Sequence, residues 1–172
     1  MNRILKFGFV YFCSTLSTFA QHKINLQDPE FDKYIHSLLN HSVQELDCNT
    51  LYDHSNQYII LDTREWKEYR VSHLPGAVWI GNDSFLWDRV KMLPRNKSMV
   101  CYCSVGFRSE KIVEKLAASG YVNVYNLVGS IFEWVNRGYP VVNLSGHPVK
   151  RIHTYNKSWS KWVNNRSYRK VY

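Results

Sequence analysis

Cysteine is scarce in this 172-residue chain, which contains four, at positions 13, 48, 101 and 103. A disulfide framework, the device that stabilises many small secreted domains, needs more cysteines than this. Cys101 and Cys103 form a Cys-x-Cys pair, but no second histidine or cysteine cluster has the ligand spacing of a zinc site. The length suits one domain with extensions at its ends. We therefore expect a single domain with a hydrophobic core and no structural metal.

Near the N-terminus the chain lacks a long unbroken apolar run, which argues against a membrane anchor, the alternative to a signal peptide. The apolar stretch 7–12 is short, and the polar residues of 14–18 interrupt its continuation. A basic start, 2–6, precedes it, and small residues lead to Ala20. This order is typical of a secretory signal peptide that is cleaved after Ala20. We predict a signal peptide at 1–20 and export of the protein, to a bacterial periplasm.

Acidic residues are absent from 146–172, where seven lysines and arginines occur. The predicted signal peptide contributes two more bases, Arg3 and Lys6. Removing these nine bases from the 22 of the chain leaves 13, against 14 acidic residues. The net charge of +8 therefore belongs to the two ends of the chain and says nothing about the partners of the central domain.

The basic C-terminal tail also contains aromatic residues interleaved with its bases. They are Tyr155, Trp159, Trp162, Tyr168 and Tyr172. Such a composition suits contact with a membrane surface, nucleic acid, an acidic partner or another subunit. Predicted export argues against nucleic acid. We favour the alternative that the aromatic rings pack back on the domain while the bases face water.

Short apolar segments alternate with helical patterns between 58 and 137. The strand-like segments are 58–61, 77–80, 98–103 and 122–127, and the helical ones are 65–70, 85–90, 108–119 and 130–137. A further short helix is predicted at 29–39, and 43–52 is ambiguous. Alternation of this kind predicts an α/β domain with a mostly parallel sheet.

Cys103 lies at the end of the third predicted strand, immediately before a helix. Sites in open α/β sheets form beyond the carboxyl ends of the strands. Gly106 permits a tight loop, and backbone amides, a helix N-terminus and Arg108 would together lower the pKa of a thiol there. This chemistry suits a cysteine nucleophile. The alternative is a small buried thiol, whereas a disulfide to Cys101 would be strained.

Four stretches resemble the characteristic blocks of the rhodanese family of sulfurtransferases. They are Leu61-Asp62-Thr63-Arg64 with Glu68-Tyr69, Ser72-His73-Leu74-Pro75-Gly76-Ala77, Tyr102-Cys103-Ser104-Val105-Gly106-Phe107-Arg108-Ser109, and Gly129-Ser130 to Trp134 with Gly138-Tyr139-Pro140-Val141. Their order and spacing match the family across about 43–142. Each block alone is weak, but the combination is specific.

The resemblance implies a rhodanese-like fold, in which a five-stranded, mostly parallel sheet has helices on both faces. The domain organisation that follows is a signal peptide at 1–20, an N-terminal arm at 21–42, the rhodanese-like domain at 43–145 and the basic aromatic tail at 146–172. No metal or organic cofactor is implied.

The resemblance also implies a mechanism. Cys103 would take a sulfane sulfur from a small anionic donor such as thiosulfate or polysulfide, and the resulting persulfide would pass it to a thiol, a protein acceptor or cyanide. The substrate-binding residues implied are Ser104, Val105, Gly106, Phe107, Arg108 and Ser109. Loop amides would hold the persulfide, Arg108 would attract the donor and organise the loop, Ser109 would cap the helix, and Phe107 would line the pocket mouth or simply pack.

Four further residues are interpreted as support for the loop. Asp62 and Arg64 would pin it by ion pairing, and Glu68 would pair with His73 to fix the turn at His73–Gly76. A structural role is favoured over catalysis for each pair, because ion pairs of this kind are common in protein scaffolds.

Two other functions stay open. Related folds that act on phosphate or arsenate use Cys-x5-Arg, whereas this loop is Cys-x4-Arg, which suits a single sulfur atom. A persulfide carrier or protein-binding module would use the same residues as a turnover enzyme. Ser104 and Val105 are uncharged where strong thiosulfate enzymes often carry bases, so the identity of the donor is open. Cys101 is interpreted as a buried thiol behind the loop.

Overall fold

The computed structural model describes residues 24–172, and its centre is a five-stranded parallel sheet. The strands are β1 (Gln44–Leu46), β2 (Tyr58–Asp62), β3 (Val78–Trp79), β4 (Ser98–Tyr102) and β5 (Val124–Leu127), in the spatial order β1-β5-β4-β2-β3. The predicted fold class is therefore confirmed. The predicted signal peptide lies outside the described residues, and export stays a prediction.

Helices cover both faces of this sheet. They are α1 (Pro29–Leu38), α2 (Cys48–Asp53), α3 (Trp66–Tyr69), α4 (Trp87–Lys91), α5 (Phe107–Ala118) and α6 (Ser130–Asn136). Side chains of β4 alternate between two hydrophobic clusters: Val100 joins the cluster that contains α1, α2 and α6, and Met99 joins the cluster that contains α5. This alternation follows from the two-residue period of a strand. In residues 24–172, no helix has the length and apolar character needed to cross a membrane.

The ambiguous segment 43–52 contains the edge strand β1 and the short helix α2. Asp47 separates the two elements, because its carboxylate accepts hydrogen bonds from the backbone amides of Asn49 and Thr50 and so caps α2. Three residues of strand are too few to show an alternating pattern, so the sequence did not reveal β1.

Strand β4, the third of the predicted strands, is shorter than predicted. It ends at Tyr102, so Cys103 is the first residue of the following loop. Helix α5 begins at Phe107 and has Gly106 as its N-cap residue, with a left-handed φ of 116°. The loop between strand and helix is thus very short, which forces its amides to turn around the Cys103 side chain.

Both extensions of the domain pack into the main core. Leu26 and Phe31 of the arm and Ile152 and Tyr168 of the tail belong to the same hydrophobic cluster as the central strands. The ring of Trp162 lies 5.4 Å from that of Phe31, measured between centroids. The arm and the tail therefore fold as parts of one unit with the domain.

The tail contributes strands to two small sheets, one of them shared with the end of the domain, and adds no strand to the main sheet. Strand β6 (Val141–Val142) pairs antiparallel with β7 (Pro148–Val149), and β8 (Arg151–His153) pairs parallel with β9 (Arg169–Val171), with a 3-10 turn at Trp159–Trp162. Six of the seven tail bases are exposed and Lys170 is half-buried, whereas Tyr168 is buried. Trp159 and Trp162 are half-buried, whereas Tyr155 and Tyr172 are exposed, so the arrangement matches the favoured alternative of aromatic packing in part. The partners predicted for the tail stay a prediction.

Substitution of Ile152 by alanine should measure how firmly the tail is docked. Ile152 is fully buried, so Ile152→Ala should lower the free energy of unfolding by about 2–5 kcal/mol. Urea denaturation would measure it, with Leu144→Ala as the control, since Leu144 is 56% exposed and should change stability by less than about 0.5 kcal/mol. Equal effects of the two substitutions would show that the tail does not share the core.

Candidate functional site

Cys103 lies at the carboxyl end of β4 with its sulfur inside the turn that leads to α5. The backbone amide of Gly106 donates a hydrogen bond to the Cys103 Sγ, at 3.2 Å. The amide of Cys103 itself donates to the Oγ of Ser130, at 3.1 Å, and that hydroxyl donates to the Leu127 carbonyl. These bonds attach the loop to the start of α6 and fix the position of the thiol.

The surroundings of Cys103 favour its thiolate. Burial alone would raise the pKa of the thiol, but the positive charge of Arg108 and the amides of Ser109, Val105 and Gly106 outweigh this effect and lower the pKa. Stabilisation of an anion by a charge and by amides at a helix N-terminus is the usual means of activating a cysteine. The other described cysteines, Cys48 and Cys101, are fully buried, and burial raises their pKa.

Arg108 is bound bidentately by Glu68. The guanidinium donates to both carboxylate oxygens, at 2.7 and 2.9 Å, and also to the Oγ of Ser104, at 3.0 Å. Burial alone would raise the pKa of Glu68, but the hydrogen bonds and charge of Arg108 and the charge of Arg64 lower it to about 2. The predicted role of Arg108 in organising the loop thus has a geometric basis, although its charge is compensated by Glu68.

The predicted pairing of Glu68 with His73 is wrong. Both carboxylate oxygens of Glu68 face Arg108, whereas the His73 ring stacks on Tyr69 at 3.9 Å between centroids. The Nδ1 of His73 contacts the Tyr69 carbonyl, and its backbone bridges to Val142. A bidentate arginine satisfies a carboxylate better than one imidazole does, and it lies within reach because α5 starts beside α3.

Asp62 and Arg64 pair with each other and do not contact the Cys103 loop. The closest approach, from the Arg64 Nη2 to the Asp62 Oδ2, is 2.6 Å, and both side chains are fully buried. Arg64 also donates to the carbonyl of Ser72, and the hydroxyl of Tyr102 donates to Asp62. The predicted ion pairing thus pins the 72–77 turn and the end of β4, one layer behind the loop.

Ser109 does not cap α5 as predicted. The helix begins at Phe107, so Ser109 is its third residue. The Ser109 hydroxyl contacts the carbonyl of Gly106 at 3.1 Å and the side chain of Asn126 at 2.7 Å. Gly106, whose left-handed backbone disfavours a side chain, takes the N-cap position instead. Ser109 therefore ties the loop to β5 through its side chain and faces the sulfur with its amide.

A cavity of about 300 Å³ opens at Cys103. Its lining comprises Cys103, Ser104, Val105, Phe107, Arg108, Tyr155 and Trp159. Phe107 is 43% exposed and lies at the mouth, as one of the two interpretations had it. In residues 24–172, no group of three or more His, Cys, Asp or Glu side chains is arranged to hold a metal ion.

Two residues of this lining were not predicted from the sequence as part of the site. Tyr155 and Trp159 belong to the tail, beyond the motifs of the domain, and the Arg108 guanidinium lies 5.2 Å from the centroid of the Tyr155 ring. The interleaving of aromatics and bases in the tail favoured packing on the domain but did not predict its location. Only the docking of β8 brings them over the Cys103 loop.

A profile of the rhodanese-like domain matches residues 47–137, more than half of the chain. The chain belongs to the rhodanese-like domain family. A rhodanese-related protein of Thermoplasma volcanium superposes on this rhodanese-like chain with a TM-score of 0.54 at 31% identity, covering 58% of this chain and 98% of that one. A thiosulfate sulfurtransferase of Pseudomonas aeruginosa shares the fold with a TM-score of 0.52 at 18% identity, covering 70% and 23% of the two chains.

Curated relatives of this rhodanese-like chain are longer proteins. A tRNA uridine(34) hydroxylase of Bdellovibrio bacteriovorus is 27% identical over 136 residues, which are 74% of this chain and 39% of that protein. One from Salmonella paratyphi B is 31% identical over 132 residues, 74% and 35% of the two chains. The chain thus spans about two fifths or less of the length of these relatives.

Removal of the Arg108 charge should make the Cys103 thiol less reactive at neutral pH. Because Arg108 lowers the pKa of Cys103, Arg108→Gln should raise the pH midpoint of Cys103 alkylation by about 1–2. Iodoacetamide labelling followed by peptide mass spectrometry across a pH series would measure the midpoint. Arg89→Gln is the control, because Arg89 contacts Trp79 away from the site. An unchanged midpoint in Arg108→Gln would contradict this electrostatic role.

The ion pair of Glu68 should make stability depend on pH in the acid range. The pKa of Glu68 is about 2 in the folded protein and about 4.3 in an unfolded chain. The stabilisation is therefore complete above about pH 5 and is lost as the pH falls towards 2. Urea midpoints should fall over this range in the wild type and less steeply in Glu68→Gln. Asp88→Asn, in an exposed pair with Lys91, should keep the wild-type slope; equal slopes in all three proteins would refute the assignment.

Proposed function

We propose that this chain is a sulfurtransferase that carries a sulfane sulfur as a persulfide on Cys103. The observation that supports it most directly is the position of the Cys103 sulfur, 3.2 Å from the Gly106 amide, in a turn whose amides and neighbouring arginine lower the thiol pKa. Such an environment stabilises a thiolate nucleophile. It would also stabilise a persulfide anion, whose charge lies on the sulfur one bond beyond that of Cys103.

The reaction divides into two displacements. In the first, the Cys103 thiolate attacks the outer sulfur of a donor such as thiosulfate or polysulfide; the donor's sulfur–sulfur bond breaks, and the leaving group (sulfite, from thiosulfate) keeps the electron pair. In the second, a thiolate or cyanide attacks the outer sulfur of the persulfide, and the Cys103 thiolate leaves. Loop amides accommodate the anion in each state, and no external oxidant or reductant is required.

The loop dimensions favour sulfur over phosphate as the transferred group. Four residues separate Cys103 from Arg108, and the guanidinium is directed to Glu68 and the Ser104 hydroxyl. A tetrahedral oxyanion needs free donors on several sides, and Arg108 has its strongest donors engaged by a buried carboxylate. This arrangement favours sulfur transfer over the activity of a cysteine-dependent phosphatase or arsenate reductase.

Two related functions use the same thiol. A persulfide carrier would load Cys103 in the same way and release the sulfur only to a protein acceptor. The resemblance to tRNA uridine(34) hydroxylases, at 31% identity over 132 residues, makes hydroxylation of a tRNA uridine a second candidate; that reaction needs an oxidant such as O2 and is incompatible with the predicted export. Mass spectrometry of nucleosides from tRNA incubated with the protein tests that candidate separately, because sulfur transfer leaves the uridine unoxidised.

Intact mass spectrometry should detect the persulfide. After brief incubation with polysulfide or thiosulfate, the wild type should gain one sulfur, about 32 Da, as expected for a reversible cap on a thiol. Cyanide should remove the added mass and yield thiocyanate, and Cys103→Ala should show no gain, although Cys48 and Cys101 are present. Removal only by a protein thiol would indicate a carrier. The absence of any adduct with both donors would refute sulfur transfer.

A further inference from the structure

An aromatic wall, formed by Tyr155 and Trp159 of the tail with Phe107 of α5, borders the cavity that contains the Cys103 sulfur. Val105 completes the apolar part of the lining. We propose that this wall is a donor subsite, which binds the apolar carbon group of an organic sulfane compound while its terminal sulfur lies at Cys103. The proposal rests on the sulfur transfer proposed above and names the class of donor.

The charges of the cavity argue against a small dianion as the preferred donor. Among the described lining residues only Arg108 carries a positive charge, and Glu68 compensates it through two hydrogen bonds. The Tyr155 ring also lies against the guanidinium, whose carbon is 5.2 Å from the centroid of the ring. A thiosulfate dianion would find little net positive charge here, whereas a monoanion with an apolar group needs only the loop amides for its charge and the rings for its carbon atoms.

Tyr155 is held in place by a strained turn. Its φ is 62°, in the left-handed region that residues other than glycine seldom occupy. The amide of Tyr155 donates to the Nδ1 of buried His153, at 3.1 Å, and the amide of Thr154 donates to the carbonyl of Val171, at 2.8 Å. Strain of this kind persists where the surroundings over-determine it, which is frequent at ligand-binding positions. His153 is a positioning residue in this arrangement.

Trp159 is fixed from a different side. Its amide donates to the Oδ1 of Asn156, at 3.1 Å, and its ring lies 5.8 Å from that of Tyr34 in α1. The Asn136 side chain donates to the Trp162 carbonyl at the end of the same turn. Both tail members of the wall are therefore preorganised, which reduces the entropy lost when a ligand binds.

The size of the cavity limits the carbon group. A volume of about 300 Å³ is at the lower end of the ~300–1,000 Å³ found for ligand pockets. The site suits a group of about one ring beside the reacting sulfurs. The three aromatic rings in the lining favour an aryl or other flat apolar group over a methyl group, because the flat group makes more contacts with them.

The reaction with such a donor balances without a further reagent. For a thiosulfonate anion, R–SO2–S⁻, the Cys103 thiolate attacks the terminal sulfur and forms the new sulfur–sulfur bond. The bond between the terminal sulfur and the sulfonyl sulfur breaks, and the sulfinate R–SO2⁻ leaves with the electron pair. The aromatic wall contacts R throughout, so it changes the rate according to R while the thiolate chemistry stays the same.

The test compares benzenethiosulfonate with methanethiosulfonate, two monoanions that differ only in R. Intact mass gives the rate of Cys103 persulfidation with each compound, and the rate with benzenethiosulfonate is divided by the rate with methanethiosulfonate. Division by the same ratio for a free thiol removes the difference in intrinsic reactivity. The corrected ratio should be about ten or more. Tyr155→Ala and Trp159→Ala should each lower this ratio about fivefold. Tyr172→Ala is the matched control, because Tyr172 is an exposed tail aromatic outside the lining, and it should keep the wild-type ratio.

The outcomes separate the subsite from the function on which it rests. A persulfide formed with polysulfide, together with equal corrected rates for the two thiosulfonates, would overturn the subsite alone. No persulfide with any donor would overturn sulfur transfer and the subsite with it. If circular dichroism shows that a tail variant is unfolded, Phe107→Ala tests the same wall from α5, and an unchanged ratio in that variant would also overturn the proposal.

Discussion

The ion pair between Glu68 and Arg108 is the interaction on which the geometry of the site depends. It connects α3, which follows β2, with the first turn of α5, which follows β4, and it brings in the Ser104 hydroxyl between them. Because the Glu68 carboxylate is buried, loss of Arg108 would leave a charge without a partner. The pair therefore fixes the loop. Arg108 places a positive charge beside the Cys103 sulfur, and Glu68 compensates this charge, so the cavity has little net positive charge.

A second buried pair, Asp62 with Arg64, gives this arrangement a rigid base. Its hydrogen bonds reach the Ser72 carbonyl and the Tyr102 hydroxyl, which in turn accepts from the amide of Leu74. Strand β4 is thereby held at Tyr102, the residue before Cys103. The loop can be short because its starting point is fixed, and a short loop is what directs its amides at one sulfur atom.

The sequence predicted the sheet and singled out Cys103 as the proposed nucleophile because both have local signals. Apolar runs such as Tyr58–Leu61 mark buried strands, and the Cys103–Arg108 spacing is contained within one loop. It did not predict the partner of Glu68, because pairing depends on which helix starts lie side by side in three dimensions. The tail aromatics were visible as a pattern, but 146–172 has no motif that places Tyr155 over Arg108. Contacts of that kind arise from the docking of the whole tail.

The cavity combines two parts of the chain that are far apart in sequence. The thiolate is stabilised by residues between Glu68 and Ser109, inside the region that matches the family, whereas two aromatic residues of the wall come from 155–159, outside it. In the proposed site, the residues that stabilise the thiolate and those that would select the donor thus lie in separate segments. Substitutions in the tail would leave the Cys103 loop unaltered, so the proposed donor preference could change while the loop stays the same.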